Sequence, residues 1–105
     1  MLFRSVHSSF TSAGQLCVST ERIYVDTSIY DEVVRRITMR VNELTIGAHV
    51  GWGYDIGSLT TPAQRDRVLA AIDNAVAQGA TIAAGGIARP DLGPLVVTQI
   101  GRAHV

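Results

Sequence analysis

Lysine is missing from this chain: all nine basic residues are arginine. That excludes Schiff-base chemistry on a lysine amine and the lysine of a phosphate-cradling P-loop. Cysteine occurs once, at Cys17, so neither an intramolecular disulfide nor a cysteine-rich metal site can form, and any role beyond packing is that of a free thiol. Charge is scarce, at 17% of residues against 47% hydrophobic, and nine acids balance nine bases to a net charge of zero. That balance gives no electrostatic case for nucleic acid or for an anionic membrane surface. No apolar run approaches the ~20 residues of a membrane span. Met1 to His7 lacks the apolar core and cleavage site of a signal peptide. A lone cysteine suits a reducing compartment, so a cytoplasmic location is expected.

What remains is globular in composition. The 105 residues make one small domain or part of a larger one. Val6 to Phe10 reads as the end of an element and Thr11–Gln15 as a loop, with Cys17 opening or closely following a helical turn. Arg22-Ile23-Tyr24-Val25 is a strand candidate rich in β-formers. Ser28, with Asp31 three residues on, fits a capping box. Ile29, Val33, Ile37, Val41 and Leu44 then recur at spacings of three to four, with Arg35, Arg36, Arg40 and Glu43 between them, which predicts an amphipathic helix.

Residues 45–60 hold four glycines and little periodicity and read as a long loop. Thr61-Pro62-Ala63-Gln64 starts a second helix, with proline at its first position. Val68, Leu69, Ile72, Ala75 and Val76 supply its apolar stripe, and Gly79 closes it. Ala80-Thr81-Ile82-Ala83-Ala84 is a buried-strand candidate ended by Gly85-Gly86, and Leu95-Val96-Val97 a short one. Strands alternating with helices predict an α/β fold with a parallel sheet and flanking helices. Two strands and two helices cannot cover both faces and both edges of such a sheet, so the chain reads as a partial domain over residues 1–105.

A nucleophilic cysteine needs a partly exposed thiol and a stabilised thiolate. The small residues before Cys17 let a substrate approach the backbone, and N–H groups at a helix start could stabilise a thiolate or an oxyanion. Composition alone favours the blander reading, because free cysteines are usually buried and inert. His7, His49 and His104 are the candidate bases, but their spacing matches no metal motif. Nothing marks Glu21, Glu32 or Glu43 as a general base. Gly85-Gly86 is a turn and not a dinucleotide loop, since no helix opens after it. Trp52 and Tyr54 suit an apolar anchor onto a neighbouring domain or subunit better than a ligand site.

From Phe10 to Cys17 the chain resembles the active-site cysteine segment of the aldehyde dehydrogenase superfamily, whose pattern is Phe-x-Asn-x-Gly-Gln-x-Cys. Phe10, Gly14, Gln15, Cys17 and Arg22 match in order, and Ser12 stands where asparagine is usual. Arg22-Ile23-Tyr24-Val25, the Ile29-Tyr30-Asp31 helix start, Asp55-Ile56-Gly57-Ser58-Leu59, Gln64, Gly79-Ala80 and Gly85-Gly86 follow in sequence. The resemblance covers about residues 8–94 and leaves 95–105 as a divergent tail. It looks most like a succinate-semialdehyde dehydrogenase subgroup.

The resemblance implies that Cys17 attacks a small aldehyde to give a thiohemiacetal, with its backbone N–H helping to hold the oxyanion. It implies that hydride then passes to NAD or NADP, leaving a thioester for water to hydrolyse. Family members are several times longer. Their cofactor domain, their Glu-Leu-Gly-Gly stretch with the general base and their Glu-Ile-Phe-Gly-Pro motif are not among these residues. The expectation is therefore a fragment of the catalytic domain that is inactive alone. The alternatives are a non-enzymatic module docking on full-length dehydrogenase subunits and a degenerate gene product.

Overall fold

The computed structural model describes residues 2–98 and 101–103. Three helices carry the architecture: α1 (Leu2–Phe10), α2 (Tyr30–Asn42) and α3 (Pro62–Ala77). Two short strands, β1 (Thr81–Ala84) and β2 (Gly101–Ala103), form one ladder. Short 3₁₀ turns at Thr11–Gly14 and Thr27–Ile29 follow α1 and precede α2.

The core is small. Val6 of α1, Val41 of α2 and Ala84 of β1 are buried against one another, with Phe10, Ile37 and Leu44 packed around them. A second buried pair, Val96 and Val97, lies beyond the turn at Arg89–Gly93. The accessible surface is 7416 Å², against about 5,700 Å² for a folded monomer of this mass. The excess of about 1,700 Å² is apolar in part: Val18, Tyr24, Val50 and Trp52 stand out in solvent. A cleft of about 1,070 Å³ runs between α1, α2 and α3, with Phe10, Val34, Ile37, Leu59, Val68 and Ile72 on its walls.

The helix assignments follow their sequence signals. Thr61 caps α3, its Oγ1 accepting from the Gln64 N–H at 3.1 Å, with Pro62 at the first helical position. Gly79 ends it at φ +92, a conformation open to glycine because it has no Cβ. The start of α2 differs from the capping-box expectation. Asp26 is the acceptor, taking the Ser28 N–H at 2.9 Å and the Ser28 hydroxyl at 2.6 Å. A carboxylate two residues upstream is the stronger acceptor and closes an Asx turn before the helix begins. These two donors hold the Asp26 carboxyl below its ordinary range.

The α/β character stands, but the pairing is not parallel in the ladder formed here. β1 and β2 run antiparallel, with Thr81 opposite Ala103 and an irregularity between Ile82 and Ala84. The chain returns from β1 to β2 through turns at 85–98 without a helical crossover, and a parallel neighbour normally needs one. Arg22–Val25 has no strand partner among the described residues. Ile23 and Tyr24 are instead open, Tyr24 at 89% exposure, because strand formation requires a neighbour that local sequence does not supply. Leu95–Val97 contributes only an isolated bridge, Val97 opposite Ala88. Residues 45–60 form the expected loop, pinched by a parallel bridge between Ile46 and Ile56.

Replacing Thr61 by alanine removes the α3 cap and should cost about 1 kcal/mol, lowering the midpoint of a circular-dichroism melt by several degrees. Thr61→Ser should restore it, and an unchanged midpoint in the alanine variant would show that the cap carries no stability.

Candidate active site

Cys17 is exposed, and the backbone explains why. The Ser19 N–H donates to Leu16 O at 3.0 Å, closing a tight turn that places Cys17 at its corner. Among the described residues, no hydrogen bond engages the Cys17 backbone N–H, and none reaches its thiol. The thiol follows the 3₁₀ turn Thr11–Gly14, as expected, but no helix starts at Cys17. A helix dipole is therefore not available there; the free N–H at the turn corner is.

The approach to that turn is unusual. Ser12 (φ 54), Ala13 (φ 57) and Gly14 (φ 70) form a left-handed run. For the two residues with a Cβ this conformation costs roughly 1–2 kcal/mol each. Hydrogen bonds contributing about 1 kcal/mol apiece are needed to offset it. They are present: Thr11 Oγ1 donates to His7 O at 2.6 Å, and Ser12 O accepts from the Gln15 backbone N–H at 3.1 Å and from Gln15 Nε2 at 3.0 Å. Gly14 is the tightest point, where a Cβ would come 3.3 Å from Ser9 O.

Two long-range ties seat the loop. On one side the Thr20 N–H donates to Ser8 O at 3.0 Å and Thr20 Oγ1 donates to Ser8 Oγ at 2.9 Å, fixing the exit of the loop to α1. On the other, Gln15 Oε1 accepts from the Thr60 N–H at 3.1 Å and from Thr60 Oγ1 at 2.9 Å, while Nε2 donates to Ser58 O at 3.3 Å. Ser58 and Thr60 belong to the segment after Asp55-Ile56-Gly57, so the structure joins two of the motifs read from sequence. Neither tie was anticipated. The signal available was Gln15 itself, a polar side chain within the small-residue run.

Asp55 organises the segment that Gln15 grips. Its Oδ2 accepts from the Thr45 N–H at 2.8 Å and from Thr45 Oγ1 at 2.9 Å. These bonds favour the charged form and hold the Asp55 carboxyl below its ordinary value.

The remaining candidates fall elsewhere. His7 and His49 make no hydrogen bond to Cys17 among the described residues, so the possible Cys–His dyad is not formed with either. His49 is engaged by the Tyr54 hydroxyl, their rings edge-to-face at 4.8 Å. His104 lies outside the described residues. Glu32 is held by Arg35 and Arg36, which pull its carboxyl down to about 2, and Glu43 pairs with Arg40. Trp52 is fully exposed. Tyr54 lies across Gly47, where a Cβ would collide with its ring. Gly85 and Gly86 turn at φ +68 and +78 after β1 and lead into a bridge at Ala88, so the strand–glycine–helix cradle of a dinucleotide is not built there. No group of three metal-ligating side chains occurs among the described residues, and no helix there is long and apolar enough to cross a membrane.

The thiol is thus exposed on a pinned turn, beside a backbone N–H that no described residue engages. The family model described as "Aldehyde dehydrogenase family" matches residues 2–100, and the chain belongs to that family. A Mycobacterium tuberculosis protein provisionally named succinate-semialdehyde dehydrogenase (NADP+) 2 is 43% identical over 91 residues, covering 87% of this chain and 18% of the relative. An aldehyde dehydrogenase of Bacillus cereus, solved with NAD+, superposes with a TM-score of 0.90 at 27% identity, covering 99% of this chain and 21% of that one. A betaine aldehyde dehydrogenase of Staphylococcus aureus carrying a BME-modified cysteine superposes at 0.91, with the same identity and coverage. The chain spans about a fifth of the length of these relatives. The match takes in residues 2–7 and 95–100, beyond the reach of the motifs.

The Asp55 contact has an acid limit. A carboxyl depressed in the folded state contributes stability above its ordinary value of 3.8 and loses it as pH falls through the lower folded value. Protection of the Thr45 amide against exchange, corrected for intrinsic rate, should therefore fall as pH drops below 3.8. Asp55→Asn should flatten that dependence. An unchanged acid profile in the variant would assign the effect to another group.

Proposed function

We propose that this chain carries the nucleophile-bearing part of an aldehyde-oxidising catalytic domain, with Cys17 as the catalytic residue. The observation that carries the reading is the placement of Cys17: an exposed thiol at the corner of a tight turn, beside a backbone N–H that no described residue uses. In the step these residues can perform, sulfur adds to the aldehyde carbon. A C–S bond forms, the carbonyl π pair moves to oxygen, and the thiol proton is delivered to that oxygen through solvent. The product is a thiohemiacetal. The Cys17 N–H is the group placed to stabilise the oxygen as charge develops on it.

The substrate class is a small aldehyde. Succinic semialdehyde is the first candidate, from the name of the mycobacterial relative. Completing an oxidation needs a hydride acceptor, and side chains do not supply one. Relatives point to NADP+ or NAD+, but the glycines after β1 do not form a cradle for either, and the motifs for the base and the ribose are not among these residues. The chain by itself is therefore expected to form the adduct and not to turn over. A cytoplasmic setting fits a thiol kept reduced.

A second reading, docking on full-length dehydrogenase subunits, is favoured by one observation: the surplus of accessible surface together with the apolar cleft between the helices. Co-purification with a complete dehydrogenase supports it; a stable monomer with no affinity for one argues against it.

The catalytic reading is tested with succinic semialdehyde labelled with ¹³C at its aldehyde carbon. The chain should give a thiohemiacetal resonance that is stronger than free cysteine produces and lost in Cys17→Ala. No excess over free cysteine would defeat the nucleophile assignment. NAD(P)H formation by the chain alone that depends on Cys17 would overturn the expectation of no turnover.

A further inference from the structure

Gln15 is an exposed side chain, yet every hydrogen-bonding position of its amide is used. The oxygen accepts twice, from the N–H and the hydroxyl of Thr60. The nitrogen donates twice, to Ser12 O and Ser58 O. An amide oxygen offers two lone pairs and an amide NH₂ offers two protons, so the group is saturated. Its orientation is also fixed, since the flipped amide would turn an NH₂ toward the Thr60 N–H. Holding a long, exposed side chain this way forfeits its rotamer freedom, which two isolated surface bonds would hardly offset. Two of the partners, Ser58 and Thr60, lie 43 and 45 residues away in sequence. The third, Ser12, is the residue whose left-handed backbone opens the approach to Cys17.

We infer that Gln15 is a positioning residue for the Cys17 turn: its amide clamps that turn to the Ser58–Thr60 segment from which α3 starts. The inference rests on the nucleophile reading of Cys17 for its purpose, though not for its test. No other side chain reproduces the clamp. Glutamate supplies the acceptor half and no donors, and would set a carboxylate against two carbonyls. Asparagine is one methylene short. The connection runs from Cys17 through Gln15 to Thr60 and directly into Thr61, the cap of α3. Movement of α3 or of the Asp55–Leu59 segment is thereby transmitted to the thiol.

The test uses the whole chain without aldehyde, so it stands apart from the nucleophile assay. In the unmutated protein the Gln15 side-chain amide protons and the Thr60 amide should exchange slowly; free exchange of both would overturn the clamp with no variant needed. In Gln15→Ala, Thr60 amide exchange should rise about tenfold or more. The decisive comparison is at Thr60, which does not touch Cys17. Thr60→Val removes the hydroxyl donor and should shift the Cys17 backbone and Cβ resonances, and Thr60→Ser should return them. Cys17 resonances unmoved by Thr60→Val would show that the contact is local and positions nothing. Should Gln15→Ala fail to fold, the Thr60 pair and the unmutated exchange rates still decide the matter.

Discussion

Val6, Val41 and Ala84 meet between α1, α2 and β1, and the seating of the Cys17 loop depends on that contact. Each is small for a core residue, and only Phe10, Ile37 and Leu44 thicken the cluster. Burial of an aliphatic side chain contributes about 1.5–3 kcal/mol, so a core of this size leaves little margin for ordering the chain. The Cys17 loop is tethered to this contact through Ser8, on the same helix as Val6. A thiol presented on a turn with two left-handed residues thus depends on three short apolar side chains several residues away. The strain in the turn is tolerable only while α1 stays seated.

The surface tells the same story from outside. Tyr24, Val50, Trp52 and Ile87 lie open, and the cleft among the three helices has largely apolar walls. In proteins of ordinary construction such residues face other protein. The relatives that the chain matches are about five times longer. On the proposed reading, the nucleophile segment and the contacts that seat it lie together in this chain.

How much of this was legible in the sequence depended on the reach of the interaction. Signals acting within a few residues were readable. Thr61-Pro62 and Gly79 bounded α3, and the three-to-four spacing from Val33 to Val41 found α2. Where two local signals competed the reading slipped, and Asp26 displaced Ser28 as the acceptor before α2. Signals acting between distant residues were not readable at all. Arg22–Val25 has strand composition but no neighbour to pair with among the described residues, and the direction of the β1–β2 ladder was set by a return without a helix. For the site, Cys17 and its loop were visible as a motif. The left-handed pair Ser12-Ala13 and the bonds from Gln15 to Ser58 and Thr60 were not, since each depends on where the chain comes back some 45 residues later.

Trp52 is the chain's one tryptophan, and it projects from the 45–60 loop with its ring fully in solvent. An indole in that position emits as it would in water whether or not the core is intact, so its fluorescence is nearly blind to unfolding. Covering the loop with another protein surface would move the ring into an apolar setting. The fluorophore most often used to follow folding is, in this molecule, a reporter of company.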